Sequence, residues 1–189
     1  NYDVSRYIPA ERIGGNLPAF FRDAREGIEV FKQCIQNLTD NGQVLDNGHE
    51  WILQGNNPVQ NVFTIDSQPN GVINKALKVH VPDGSLIIVK VKTGPRAHLQ
   101  FGIWGDQQHA NHTLYVFEDA TNIHMEVPAA IWGSIIAPQA IYHGHPTGGH
   151  ISGNVAFRSL AVNAKSGFEI HWYPFVGGVQ CGGIGSIST

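Results

Sequence analysis

IWGSIIAPQAIYHGHPTGGHISGNVAFRSLAVNAKSGFEIHWYPF, residues 131–175, holds the internal repeat from which the fold is read. Laid against itself, Gly133 falls on Gly153, Ile135 on Val155, Ala137 on Phe157, Ala140 on Leu160 and Tyr142 on Val162. The match is one of residue type rather than identity. A unit this short cannot bury its own apolar face and must stack on a like neighbour. The repeat therefore predicts an all-β solenoid of short coils, each of about 20 residues, with the rest of the chain as further coils and whatever caps them.

Composition narrows the functional classes. A chain of 189 residues is by default one domain, able to bury about 70% of its unfolded surface without staples. Charged residues make up 14%, the net charge is -3, and Lys and Arg are scattered, so there is no electrostatic footprint for nucleic acid or an anionic membrane. With 22 Gly, 10 Pro and no long apolar run, the sequence reads as a turn-rich soluble domain without membrane insertion. It opens on NYDVSRY, with no basic start or apolar leader, as expected of a cytosolic protein or of one whose signal peptide has been removed.

Two features favour secretion. Asn37-Leu38-Thr39 and Asn111-His112-Thr113 are N-glycosylation sequons. Cys34 and Cys181 are the only cysteines, and they either close one disulfide across nearly the whole chain or remain two thiols. Cys181 lies in the Gly- and Ser-rich stretch VGGVQCGGIGSIST, which reads as a tail or linker over 177–189, and a lone cysteine there favours the bridge.

Apolar residues Phe20, Phe21, Ala24, Ile28, Phe31, Ile35 and Leu38 recur at spacings of 3 and 4, opposite a charged face. Pro18 suits the first turn and Asn41-Gly42 the stop, so a helix is expected near 17–40, packed along or capping the coils. After residue 60 the period changes. VFTID, ALKVHV, SLIIVKVK, HLQFGIW, TLYVF and TNIHMEV are short β-type runs separated by turn sequences. One helix followed by many short strands predicts an all-β body, with coils near 60–175 and a single domain over 1–176.

IWGSIIAP (131–138), GGHISGNV (148–155) and GFEIHWYPF (167–175) resemble motifs of the choice-of-anchor A domain, an adhesin-type right-handed β-helix distantly similar to the ice-binding-type solenoid. The resemblance covers about 15–175. It implies a right-handed β-helix, no catalytic motif and no cofactor. Among such domains are the Jonah-type cyst-wall lectins of encysting amoebae, and the sequons and His-rich loops are in keeping with that branch. There the resemblance implies a secreted protein of the cell or cyst wall that binds cellulose or a similar wall polysaccharide, with chitin as another candidate. Bacterial relatives resemble surface adhesin modules.

Glycan-binding surfaces need rings that stack on sugar faces, set on an exposed flat face beside a few polar partners. Ser152, Asn154 and Arg158 mark the outer parity of the second repeat, which carried back by one repeat selects Trp132 as exposed. Alternation through HLQFGIW places Phe101 inside and Trp104 outside. In GFEIHWYPF a full repeat step exposes Trp172, whereas a step one residue shorter exposes His171 and Tyr173 and buries Trp172; the second is preferred because Glu169 is unsuited to an interior. Trp104, Trp132, Tyr173, Trp172 and Tyr115 are thus the glycan-binding candidates, with Phe117 beside them and Tyr142 assigned to the core. His143, His145 and His150 share one loop and His109 and His112 another, but no Cys or carboxylate completes either set locally and no metal site is expected.

Two competing activities fit less well. A polysaccharide lyase or hydrolase needs paired carboxylates in register, and Asp83, Asp106, Glu118 and Asp119 fall in turns instead. An ice-binding face needs a regular array of short polar residues, and Thr64, Thr93, Thr113, Thr121 and Thr147 keep no period. The reading is a non-catalytic carbohydrate-binding module, with a cell-surface adhesin for a protein ligand as the alternative.

Overall fold

The computed structural model describes residues 17–163, 165–182 and 186–188. One helix, α1 (Leu17–Gln36), precedes two mainly parallel sheets. The first sheet holds β1 (Gln43–Asp46), β2 (Glu50–Gln54), β5 (Ala76–His80), β8 (Ile103–Trp104), β11 (Ala130–Trp132), β13 (His150–Ser152) and β15 (Glu169–His171), in that order. The second runs β3 (Gln60–Asp66), β6 (Leu86–Lys92), β9 (Thr113–Phe117), β12 (Ser134–His143), β10 (Asn122–Met125), β7 (Arg96–Leu99) and β4 (Val72–Ile73), with β14 (Val155–Ala161) also on β12. A small antiparallel pair, β16 (Gly178–Gln180) and β17 (Ser186–Ser188), follows.

The expected right-handed β-helix of short, equal coils is not what the chain forms. Gln60 pairs with Leu86, Ile87 with Thr113 and Leu77 with Trp104, so the step from strand to strand is longer over most of the chain than the repeat requires. The short step begins where Leu114 pairs with Ser134 and Ile123 with Tyr142, and it continues where Ile131 pairs with Ile151 and Ile151 with Ile170. β1 joins the first sheet antiparallel to β2. The second sheet curls, because the long strand β12 pairs with β9 through Ser134–Ile136 and with β10 through 141–143. Pro138, which has no N–H to give a ladder, stands between these two pairings. The matched Gly133 and Gly153 mark one corner on neighbouring strands, and a Cβ on Gly153 would sit on the Gly133 carbonyl.

Between the sheets lies the main core. Leu77, Trp104, Ile131 and Ile151 line it from the first sheet, and Phe63, Val89, Tyr115, Phe117, Ile135 and Tyr142 from the second. The other parity of the second sheet, Val62, Ile88, Leu114 and Val116, packs against Phe31 and Ile35 of α1 in a separate cluster that also takes in Val179. Full burial of a side chain such as Phe31 or Ile35 stabilises by about 1.5–3 kcal/mol. The helix therefore covers a face of the second sheet.

Polar links and a disulfide fix α1 and the turn that follows it. The Gln139 amide nitrogen donates to the carbonyls of Phe117 and Ala120 at 3.0 and 2.9 Å, and its oxygen accepts from Lys32 Nζ at 2.9 Å. Lys90, on the helix side of β6, donates to the Leu38 carbonyl at 2.6 Å and pairs with Asp40 at 3.0 Å. Cys34 and Cys181 form a disulfide that ties the helix to the segment after β16. At the end of β16 the Gln60 amide group meets both backbone polar groups of Gln180.

Gln139→Ala removes two carbonyl bonds and the Lys32 contact together, and is expected to lower stability by about 1–3 kcal/mol. Urea unfolding checks this; an unchanged midpoint would show that the link contributes nothing. Cys181→Ser should cost about 2–4 kcal/mol in the same assay, since the bridge closes a very long loop.

Candidate functional site

The outer face of the first sheet is the surface left open by this packing. Parallel pairing aligns Trp132 with Ser152 and Ser152 with His171, so one row of this face runs across three strands. Its neighbouring row holds Ala130, His150 and Glu169. Trp132 is half-buried, held edge-on by His150 at 5.0 Å and by Tyr173 at 5.6 Å between ring centroids. His150 and His171 stack at 4.6 Å with planes 15° apart. The small Ser152 between them places its hydroxyl 3.0 Å from His150 Nδ1 and 3.3 Å from His171 Nδ1, and His171 Nε2 meets Glu169 at 2.7 Å.

A groove of about 500 Å³ runs beside Trp132, lined also by Ala76, Lys78, His80, Ile103 and Gln107. Gln107 opens a 3₁₀ helix over Gln107–His112, where Asp106 caps by accepting from the His109 N–H. The Gln107 amide donates to the Tyr173 hydroxyl at 2.9 Å. The chain after Tyr173 is held to the same helix, since the Asn111 amide donates to the Pro174 carbonyl and the Val176 N–H to the Asn111 carbonyl. The result is an apolar trough with an indole and a phenol at one side and amide, ammonium and imidazole groups around it.

The sequence-derived candidates separate here. Trp132 faces outward as the repeat requires, and Tyr173 packs against it. Trp104 does not face outward. It is fully buried, stacked on Phe101 at 4.3 Å, with its indole N–H donating to the Lys75 carbonyl. Alternation through HLQFGIW assumed one unbroken strand, but β7 ends at Leu99 in the second sheet and β8 begins at Ile103 in the first, so the parity restarts. Ile103, 52% accessible, takes the outward place.

Tyr115 is likewise fully buried, as is Phe117, because β9 is covered on both faces. The Tyr115 hydroxyl donates to the Trp132 carbonyl, and burial pushes its phenol far above the ordinary value. Tyr142 lies in the core, stacked on Phe157. At the last strand the step is the shorter of the two considered, which puts His171 on the outer row opposite Ser152. Trp172 nevertheless is 84% accessible rather than buried, because it lies past the end of β15 and β15 is the last strand of its sheet. The His150–His171 pair was not assembled from the sequence, although the parity that selected Ser152 also selects His150.

The two sequons differ. Asn37 is exposed just past α1, whereas the side-chain nitrogen of Asn111 is engaged with Pro174. Among the described residues no group of three or more His, Cys, Asp or Glu is arranged to hold a metal ion. His143 stacks on His124, and His145 Nδ1 lies at hydrogen-bond distance from the Thr147 N–H and hydroxyl. Asp106, the carboxylate of the groove, is occupied by its cap and by His109 Nδ1 at 2.7 Å. No described helix is long and apolar enough to cross a membrane.

Over residues 3–172 the sequence matches the family described as Putative Ice-binding-like adhesive domain. No curated protein and no solved structure matches it. An adhesive family and a disulfide point together to a cell-surface or extracellular protein.

Burial first, and then His171 beside it, hold the His150 imidazole below its ordinary range, with Glu169 opposing. A depressed imidazole takes its proton in the unfolded chain first, so stability is full above about pH 6.5 and falls as pH drops from there toward the lower folded-state value. His150→Gln is expected to lose less stability than wild type between about pH 7 and pH 5, measured by urea unfolding. An equal loss in both proteins would assign the pH dependence to other groups.

Proposed function

We propose that this chain, which belongs to the ice-binding-like adhesive domain family, is a non-catalytic module that binds an insoluble β-linked wall polysaccharide on the outer face of its first sheet. The observation that carries this reading is the half-exposed Trp132, flanked edge-on by Tyr173 and His150 and bordering an open apolar groove. An indole fixed by neighbouring rings gives a sugar face a platform that needs little ordering on binding. Gln107, Lys78, His80 and the imidazoles supply donors and acceptors for hydroxyls. Trp132 and His171 lie two strands apart, about 9.5 Å, close to a disaccharide step along a β-linked glucan.

The resemblance to choice-of-anchor A motifs, followed into its branch of Jonah-type lectins, favours cellulose as the ligand and a cyst wall as its setting. Exposed Asn37 is the sequon suited to carry a glycan. A protein-binding adhesin is the second reading. It is favoured by Trp172, which stands 84% accessible next to the exposed Ile170 at the open end of the first sheet.

Pull-down on microcrystalline cellulose and on chitin tests the first reading. Wild type should pellet with at least one polymer, and Trp132→Ala should weaken binding about tenfold or more, with Tyr173→Ala weaker in effect. Wild type remaining in the supernatant, or Trp132→Ala pelleting equally well, would exclude this face. Loss on Trp172→Ala with Trp132→Ala unaffected would move the site to the sheet end.

A further inference from the structure

The curled half of the second sheet presents a second exposed surface with a different chemistry. On β7, β10 and β12, His98 lies opposite His124 and His124 opposite His143. The three rings form a column, with centroids 5.8 and 4.2 Å apart and planes inclined by 15° and 9°. The same face carries Arg96 and Asn122 two residues back along their strands, and Gln100 and Glu126 two residues on. Glu126 accepts from the Gln100 amide at 2.5 Å and meets His98 Nδ1 at 2.5 Å, while Asn122 Oδ1 lies 3.1 Å from His143 Nε2. The flanking strands β4 and β14 place Val72 and Ala161 beside the ends of the column.

We infer that this imidazole column is a pH-gated binding site for an acidic polysaccharide, one whose carboxylate or sulfate groups recur along an extended chain. With neutral rings the face carries one guanidinium and one carboxylate, which balance. Protonation adds up to three positive charges on rings a strand apart, and Glu126 is the carboxylate that faces them. Burial first, then His143, His98 and Arg96, hold His124 below the ordinary imidazole range. Without a ligand the central ring of His124 therefore resists charging, and bound anions relieve that resistance. By linkage, binding must then draw in protons and strengthen as pH falls.

Geometry selects the kind of anion. Successive rings, 5.8 and 4.2 Å apart, stand on strands spaced about 4.8 Å, near the length of one pyranose unit, so acidic groups on a chain laid across β7, β10 and β12 can address successive rings. Asn122 and Gln100 stand on either side for sugar hydroxyls. The rings stack nearly parallel, which aims their nitrogens alongside one another rather than at one point. A shared metal ion is poorly served by that arrangement, in keeping with the lack of a metal-holding group among the described residues. The surface is separate from the Trp132 face, so the two sites can be tested independently.

Binding of the whole protein to polygalacturonate and to dextran sulfate is measured by calorimetry at about pH 5 and about pH 7.5, in buffers of different ionisation enthalpy, with neutral dextran as control. The expected result is affinity at least about tenfold higher at the lower pH for one or both acidic polymers, with net proton uptake. His124→Gln with His143→Gln should abolish the pH gain, and Trp132→Ala should keep it. Equal affinity at the two pH values, equal binding of neutral dextran, or an unchanged pH gain in the double variant would overturn the inference. A single-stranded oligonucleotide competing as well as the polysaccharides would also overturn it, as a general polyanion effect. Circular dichroism of the double variant at about pH 7.5 confirms that any loss is not one of folding. Loss of cellulose binding in Trp132→Ala with the acidic response intact would separate this site from the first.

Discussion

Everything in this molecule depends on the second sheet being covered on both faces where β3, β6 and β9 run. LIIVKVK of β6 is buried almost throughout, with Ile87, Val89 and Val91 turned to the sheet-to-sheet core and Leu86 and Ile88 turned to α1. A strand with apolar groups on both sides cannot face water on either. The first sheet satisfies one side and the amphipathic helix the other. Lys90 belongs to the helix side, and its ammonium reaches past the apolar contact to the Leu38 carbonyl and Asp40 at the helix end.

This division of labour decides which surfaces remain open. The helix is used up on the second sheet, so the outer face of the first sheet has no covering element among the described residues. The curl at β12 carries β10, β7 and β4 away from α1, leaving their outer side open as well. Each open surface is displayed on parallel strands that hold side chains in rows about 4.8 Å apart. Aromatic and imidazole rings in such rows are positioned by backbone pairing rather than by loops. That suits a family described as adhesive.

The parts legible in the sequence were those set by local pattern. The helix followed from its 3 and 4 spacing, and Trp132 from the alignment of Gly133 with Gly153, which the strand register keeps from Trp132 to Ala137 and loses beyond it, where Tyr142 pairs with Leu160 rather than Val162. The repeat failed as a rule for the whole chain because its short step holds only where the corners are tight. Elsewhere turns such as those around Asp83 and Pro95 lengthen it. Trp104 was misplaced because alternation carries no information across a break between sheets. Tyr115 was misplaced because a strand buried on both faces gives parity no polar residue to read. The histidine column needs three strands from distant parts of the chain and leaves no local trace at His98 or His124.

The Cys34–Cys181 bridge has a mechanical consequence. Its two ends are separated by 147 positions, and every strand from β1 to β16 lies between them. Tension entering the chain before residue 34 and leaving after residue 181 passes through one covalent bond. The enclosed strands stay out of the line of force, so both sheets and the surfaces they display keep their shape while the tether is pulled.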